Sequence, residues 1–420
     1  MRMNRSGRKM VLRLLLSCFS PSLFLGLAFG AGPIQVDDNF ESGSLGEWRI
    51  EDETRLIFVP RKEHDQDRVN TAVTWFYGKL SNVLNREVEI VLDGLDYTVY
   101  NGKRGDILPF ERNTVPVFSY DRKHWERFSS CGFVKEERVF RIRQIFSRDA
   151  VWIAYVPPYT FSRLESLVNE LKSNPSITIE SIGDSVEGRP LYLVTAADPN
   201  LDQETSPVVW IVARQHSFEA GGSWAVEGLL NFLTSSELEA RKILQKAVFK
   251  ICPMLNPDGV VSGGTRFNAR GVDLNRHWDS DDPLSGDYKK APEIVSVKEA
   301  LRQWKRRHRL DLWINIHNND MVWNNDGDYI RFAPADKEEA ARRLEETLRQ
   351  KTIFTGPFIL TPNSSTTEAV VAKEFGALSL LMEMKTGYLD KRDRWTGVDL
   401  FLLHGEGTAR SAATWLELEE

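Results

Sequence analysis

The sequence predicts an all-β region, an antiparallel β-sandwich over residues 31–158, followed by an α/β region with a mixed sheet over residues 159–420. Three observations carry this. Between Ile34 and Pro158 short alternating runs are separated by turn clusters, as in Thr71–Tyr77, Val88–Leu92 and Ala150–Tyr155, which is the texture of half-buried strands. Beyond Pro158, continuous apolar runs of strand length alternate with stretches of helical period, the pattern of a sheet covered on both faces. The 420 residues, 41% hydrophobic and 27% charged, leave room for a substantial core and exclude a disordered, collagen-like or multi-span membrane protein.

The N-terminus reads as an address. Residues 1–30 carry Arg2, Arg5, Arg8, Lys9 and Arg13 and no acid, followed by an apolar stretch from Leu14 to Ala28. This pattern predicts an export signal cleaved near Gly30, hence a secreted or periplasmic protein. Removing those five cations would take the net charge from −6 to −11. Leu15-Leu16-Ser17-Cys18 also resembles a lipobox, although the apolar run continues past Cys18 where a lipoprotein turns polar; an uncleaved anchor and a mis-assigned start site are the other readings. No other segment approaches the roughly twenty apolar residues of a membrane span. With 54 basic against 60 acidic residues, nucleic acid is not an expected partner. Cys18, Cys131 and Cys252 are too few for a disulfide scaffold and too scattered for a zinc–thiolate cluster, while a single Cys131–Cys252 bridge is compatible with the count.

The β region holds no cluster of histidines, cysteines or acids with metal or triad spacing, so it is expected to support or restrict a site elsewhere. Pro157-Pro158 closes it, and Thr160 can cap a helix reaching Leu171. Strands are predicted at Val208–Ala213, Val248–Cys252, Leu312–Ile316 and Leu378–Met382, and helices at Ala225–Leu233, Lys337–Lys351 and Asp399–Leu416. In such folds ligands gather beyond the carboxyl ends of strands.

Arg214-Gln215-His216-Ser217-Phe218-Glu219 lies immediately past the first of these strands. His216 and Glu219 can present an imidazole nitrogen and a carboxylate to one Zn2+ ion, although the pair alone reads equally as a satisfied polar turn. His317, ending another strand-like run, supplies a third donor; alone it would be structural, but together they make a two-histidine, one-glutamate set with a position open for water. Between them lie Asn256-Pro257-Asp258-Gly259, Arg266 and Gly271-Val272-Asp273-Leu274-Asn275-Arg276. These blocks, in this order, resemble the zinc carboxypeptidases across the whole second half. Phe40–Leu45, Trp75–Tyr77 and Ala154–Tyr159 are similar to the N-terminal β domain of the cytosolic carboxypeptidase branch, which trims C-terminal or side-chain glutamates.

The resemblance implies Zn2+ bound by His216, Glu219 and His317, with Asp273 orienting the His216 ring. It implies Glu383 as general base and Arg266 as the group that stabilises the oxyanion. It also implies Asn275 and Arg276 as the pair gripping the substrate's terminal carboxylate, and hence a metallocarboxypeptidase acting on peptide or protein C-termini. A carboxylate ending an apolar strand is costly unless used or paired, and Lys385 is the alternative partner for Glu383.

Two departures from the family pattern matter. The mobile tyrosine that many carboxypeptidases place before the catalytic glutamate is absent from Phe354–Thr367, leaving Tyr388 or Tyr329 as replacements. Glu368 stands near the expected side-chain pocket, where the glutamate-trimming branch often has arginine. Lining the pocket, it would favour a basic or diamino substrate, as export also would; facing solvent, it would set nothing. Two rival readings of the whole chain stay open: a zinc-dependent amidase acting on cell-wall peptides or N-acyl amino acids, and a zinc-retaining binding module without turnover. His277 is expected at the surface or behind the site, His64, His124, His308 and His404 in solvent or core, and the scattered tryptophans in the core. Oligomeric state is not specified.

Overall fold

An eight-stranded mixed sheet forms the centre of the C-terminal region: β1 (Ile177–Asp184), β2 (Pro190–Ala196), β3 (Val208–Ala213), β4 (Val248–Cys252), β5 (Leu312–Asn318), β6 (Tyr329–Ala333), β7 (Phe358–Leu360) and β8 (Leu378–Met384). The computed structural model describes residues 32–418 except 101, 106–107, 112–114, 280–290, 320–326 and 362–363. The expected signal over residues 1–30, with Cys18, lies outside the described residues. The strand order is β1-β2-β4-β3-β5-β8-β6-β7. β4, β3, β5 and β8 run parallel; β2 and β6 flank them antiparallel, and β1 pairs antiparallel with β2.

Among the described residues the α-helices are α1 (Phe161–Leu171), α2 (Ala220–Leu233), α3 (Leu238–Leu244), α4 (Pro257–Val261), α5 (Pro292–Lys305), α6 (Glu338–Lys351), α7 (Thr367–Phe375) and α8 (Val398–Trp415). Successive side chains of β3 face opposite ways, as the strand period requires. Val209, Ile211 and Ala213 join a core with α2, α6 and α8, whereas Val208, Trp210 and Val212 join one with α5 and α7. The continuous apolar run at β3 is therefore explained by two buried faces. Thr160 caps α1 by accepting from the Arg163 amide at 3.2 Å.

β3 and β4 span the residues expected of them. β5 and β8 each run two residues beyond their apolar runs, because the ladder continues while its side chains turn polar: His317 pairs with Glu383 and Asn318 with Met384. α2 begins at Ala220 rather than Ala225. Its first turn needs glycine: a Cβ on Gly221 would lie 2.9 Å from Asn318 Oδ1, and one on Gly222 3.2 Å from Ile316 O. Close approach to β5 outweighs the weak helix propensity of Gly221 and Gly222.

The N-terminal region contains two five-stranded sheets. One runs in the order Gln35–Asp37, Tyr77–Ser81, Ala150–Ala154, Val117–Ser119 and Glu126–Arg127; the other runs Cys131–Val134, Val139–Ile145, Glu87–Leu92, Arg55–Val59 and Glu47–Asp52. The pairing is antiparallel except between Arg55–Val59 and Glu87–Leu92. The expected strand Thr71–Tyr77 is broken: Thr71–Ala72 pairs with Glu63–His64, and Tyr77 opens the next strand. Between them the Trp75 amide donates to Thr265 Oγ1 at 3.2 Å, leaving the β region to bond the α/β region. Leu56, Phe58, Phe76, Phe140, Phe218 and Trp224 belong to one core that runs through both regions. Cys131 and Cys252 are free thiols, so the bridge left open by their number does not form. Among the described residues no helix is long and apolar enough to cross a membrane.

Candidate metal centre and active site

The parallel strands β3, β5 and β8 deliver their carboxyl ends to one edge. Arg214, just past β3, takes a left-handed conformation (φ 59°) that turns the chain back toward α2. This sharp turn places His216 and Glu219 beneath the start of α2, with Glu219 at its N-cap. Arg214 is fully buried; its Nε donates to Ser217 O at 2.9 Å and its Nη1 to Ser223 Oγ at 3.2 Å. Burial pulls its pKa down to about 9, against the pull of Glu219.

His216, Glu219 and His317 converge. Their donor atoms lie within 4.8 Å of one another, and all three side chains are buried. His216 Nδ1 is 2.7 Å from Glu219 Oε1, and His317 Nδ1 is 2.7 Å from Glu219 Oε2. Each ring is anchored through its other nitrogen: His216 Nε2 to Asp273 Oδ1 at 3.1 Å and His317 Nε2 to Gln215 Oε1 at 2.9 Å. Both anchors are acceptors, so the Nε2 atoms carry hydrogen and, in the neutral rings, the Nδ1 lone pairs face carboxylate lone pairs. His317 Nδ1 and Glu219 Oε2 make no hydrogen bond despite their proximity. Buried lone pairs aimed at one point require a positive charge there. Two imidazoles and a carboxylate suit Zn2+, so the donor set fits the ion.

The local electrostatics agree. Burial pushes the Glu219 carboxyl up, but His317 and His216, when charged, outweigh it and hold it below the usual carboxylate range. Burial also opposes ionisation of Asp273, yet Arg266 and His216 keep it well below the usual carboxylate range. Burial lowers His317. For His216, burial and Arg266 are overcome by Glu219 and Asp273, and its pKa is raised.

Around this centre the structure brings together most of the residues singled out in the sequence. Arg266 grips Asp273 through Nε (2.8 Å) and Nη2 (2.7 Å), linking it to the His216 ring. Glu383, half-buried on β8, sits opposite His317 in the ladder, and Tyr329 on β6 is its other ladder partner. Tyr329 Oη donates to Glu383 Oε1 at 3.4 Å. Of the two tyrosines considered as replacements, Tyr329 meets the site, whereas Tyr388 bonds Asp393. Lys385 is paired with Asp390 at 3.8 Å. Asn275 Oδ1 accepts from the Thr367 amide (3.1 Å) and hydroxyl (2.9 Å), fixing the start of α7. Arg276 and the exposed His277 line a cleft of about 300 Å³ with Asp65, Asp67 and Asn70 of the β region.

Glu368, in the first turn of α7, is fully buried and does not face solvent. Neither carboxylate oxygen makes a hydrogen bond; Thr366 and the residue's own amide lie close without bonding geometry. Burial raises its pKa, with His317 and Arg331 pulling the other way. Arg331 on β6 stands 5.2 Å from the Tyr329 ring centroid, and its buried Nε is likewise without a hydrogen bond. This second charge beside Glu368 was missed in the sequence, as were Gln215, Arg214 and Glu63. Gln215 had a signal, its place next to His216; Arg331 and Glu63 had none.

Comparison with known proteins follows the same division. Residues 164–371 match the zinc carboxypeptidase family, and residues 36–156 match the cytosolic carboxypeptidase N-terminal domain. Mouse (Mus musculus) cytosolic carboxypeptidase 6 is 30% identical over 312 residues, 70% of this chain and 54% of the relative. Zebrafish (Danio rerio) cytosolic carboxypeptidase 1 is 38% identical over 284 residues, 58% of this chain and 24% of the relative. The chain thus spans about half the length of the former and a quarter of the latter. A metallo-carboxypeptidase from Burkholderia cenocepacia shares the fold with a TM-score of 0.78 at 22% identity, covering 92% of this chain and 99% of that one. These findings correct the secreted or periplasmic location expected from residues 1–30. These two relatives are cytosolic carboxypeptidases, and residues 36–156 match the N-terminal domain of that group, so the signal-peptide reading falls, and with it the support that export lent to a basic substrate. The chain carries a zinc carboxypeptidase domain preceded by the cytosolic carboxypeptidase N-terminal domain.

Proposed function

We propose that this protein hydrolyses the C-terminal peptide bond of peptides or proteins, with Glu383 as general base and Zn2+ held by His216, Glu219 and His317. The observation that carries the reading is the convergence of two imidazole nitrogens and a buried carboxylate beside Glu383, the ladder partner of His317. Zn2+ there supplies a Lewis acid that acidifies water and polarises a carbonyl. The chain's own residues do the rest. Glu383 takes the proton of the attacking water and returns it to the departing amine. Arg266, oriented by its two bonds to Asp273, meets the negative charge that develops on the scissile carbonyl oxygen. Asp273 holds the His216 ring so that Nδ1 is turned toward Glu219, where both would hold the ion. Asn275 and Arg276 receive the terminal carboxylate, which makes the enzyme an exopeptidase. Glu368 and Arg331 line the pocket for the terminal side chain.

The test is metal content together with amino-acid release from a C-terminal peptide library. The wild-type chain is expected to hold stoichiometric zinc and release C-terminal residues. Glu383→Gln is expected to keep the zinc and lose about 10²–10⁴ in rate. Zinc-bound wild-type protein that releases nothing, or undiminished release by the variant, would remove the mechanism.

A further inference from the structure

The chain from Val260 to Gly271, which carries Arg266, is bonded along its length to the N-terminal β region. Ser42 Oγ donates to Val260 O at 2.8 Å, Arg61 Nη1 to Ser262 O at 3.0 Å, and the Trp75 amide to Thr265 Oγ1 at 3.2 Å. At the functional residue itself the contact is a carboxylate. Glu63 Oε2 accepts from the Arg266 amide at 2.7 Å and from the Phe267 amide at 3.4 Å. Arg61 Nη2 holds the other oxygen, Oε1, at 3.2 Å. On the far side of the same residue, Asn256 Nδ2 donates to Arg266 O at 3.2 Å and to Phe267 O at 3.0 Å. The Arg266 backbone is therefore pinned from both directions.

Room for the carboxylate is built into the loop. A Cβ on Gly264 would lie 2.5 Å from Glu63 Oε1, and one on Gly263, at φ 64°, 2.5 Å from Gly43 O. Any side chain at either glycine would drive the loop off the β region. Glu63 is the sole acid of this contact set, and a carboxylate accepting backbone amides makes a stronger bond than a neutral acceptor. A guanidinium set to meet charge in a transition state is effective only when its backbone is fixed beforehand.

We infer that Glu63 is a positioning residue of the active site: through the Arg266 and Phe267 amides it sets the arginine that meets the oxyanion, which makes the β region part of the catalytic apparatus. The inference rests on the role of Arg266 proposed above. Its test uses the full chain and the library peptide that the wild type cleaves best. Glu63→Ala is expected to lower kcat about tenfold to a hundredfold, with KM within about twofold and zinc still stoichiometric. Glu63→Gln keeps an acceptor oxygen and is expected to recover most of that loss, which a general folding defect would not predict. In an Arg266→Ala background, Glu63→Ala is expected to add no further loss, because the two act through one group. Wild-type kcat in Glu63→Ala, failure of Glu63→Gln to recover, or a multiplicative loss in the double variant would each overturn the proposal. Undiminished kcat in Arg266→Ala alone would instead show that the oxyanion reading beneath it is wrong.

Discussion

At the ladder position shared by His317, Glu383 and Tyr329, three adjacent strands place an imidazole, a carboxylate and a phenol side by side, and Arg331 follows two residues later on the same face of β6. Register explains why Arg331 comes near Glu368: residues two apart on a strand point the same way. In the pocket proposed above, the two charges would act in opposite directions on the terminal side chain of a substrate. Arg331→Leu is expected to shift preference toward basic C-terminal residues, and Glu368→Gln toward acidic ones. Each shift should be about tenfold, the scale of one partly buried charge contact of roughly 1.4 kcal/mol. Ranking the residues released from a peptide library checks both, and no change in either ranking would place that side chain outside the pocket. His216, Glu219, His317 and Glu383 were legible in the sequence because each sits at or just past an apolar run and matches a spaced motif. Arg331 was not, because only the antiparallel pairing of β6 with β8 brings it to the site. Glu368 was legible as a residue, with pocket and solvent both open to it; only the packing of α7 in the fold buries it.

The packing of α2 against α8 shows what element-level reading of sequence can and cannot reach. Both helices were expected, but their distance of approach was not. Cβ atoms on Gly228 and Gly405 would lie 2.1 Å from Leu402 O and 1.6 Å from Ala225 O, so the glycines let the two backbones touch. His404, one residue before Gly405 on α8, is buried. Both of its ring nitrogens are buried without a hydrogen bond, and burial pulls its pKa down to about 3. The unfolded chain has the ordinary value near 6.5, so the neutral ring's contribution to stability is whole above pH 6.5. It is lost as pH falls from there toward 3, because the unfolded state binds the proton first. Each unit in that window costs about 1.4 kcal/mol, or about 2 kcal/mol by pH 5. His404→Leu should keep the helix contact and flatten this part of the slope. Urea titrations at pH 7.5 and 5.0 measure it, and equal pH dependence in the two proteins would rule out His404 as its source.

Across the whole molecule, the change of texture at Pro157-Pro158 does not correspond to a break in packing. Residues from Pro33 onward form one compact unit, and a single apolar core holds Phe58 and Phe140 of the β region together with Phe218 and Trp224 of the α/β region. Linked domains ordinarily meet across modest, rather polar interfaces and move relative to one another. Here Trp224 Nε1 donates to Pro157 O at 3.0 Å, and the half-buried Arg127 of the β region donates to Thr396 O at 2.6 Å, beyond the strand that carries Glu383. Exposing either region alone would strip apolar surface from the other at about 25 cal/mol per Å². The two regions should therefore unfold together. Calorimetry of the zinc-loaded chain is expected to give one endotherm, with a calorimetric enthalpy close to the van't Hoff value. Chelation should move that endotherm to lower temperature without splitting it, since the metal binds only the folded donor set and its removal leaves buried lone pairs facing one another. Two endotherms, only one of them sensitive to chelator, would mean that the β region folds independently of the site it borders.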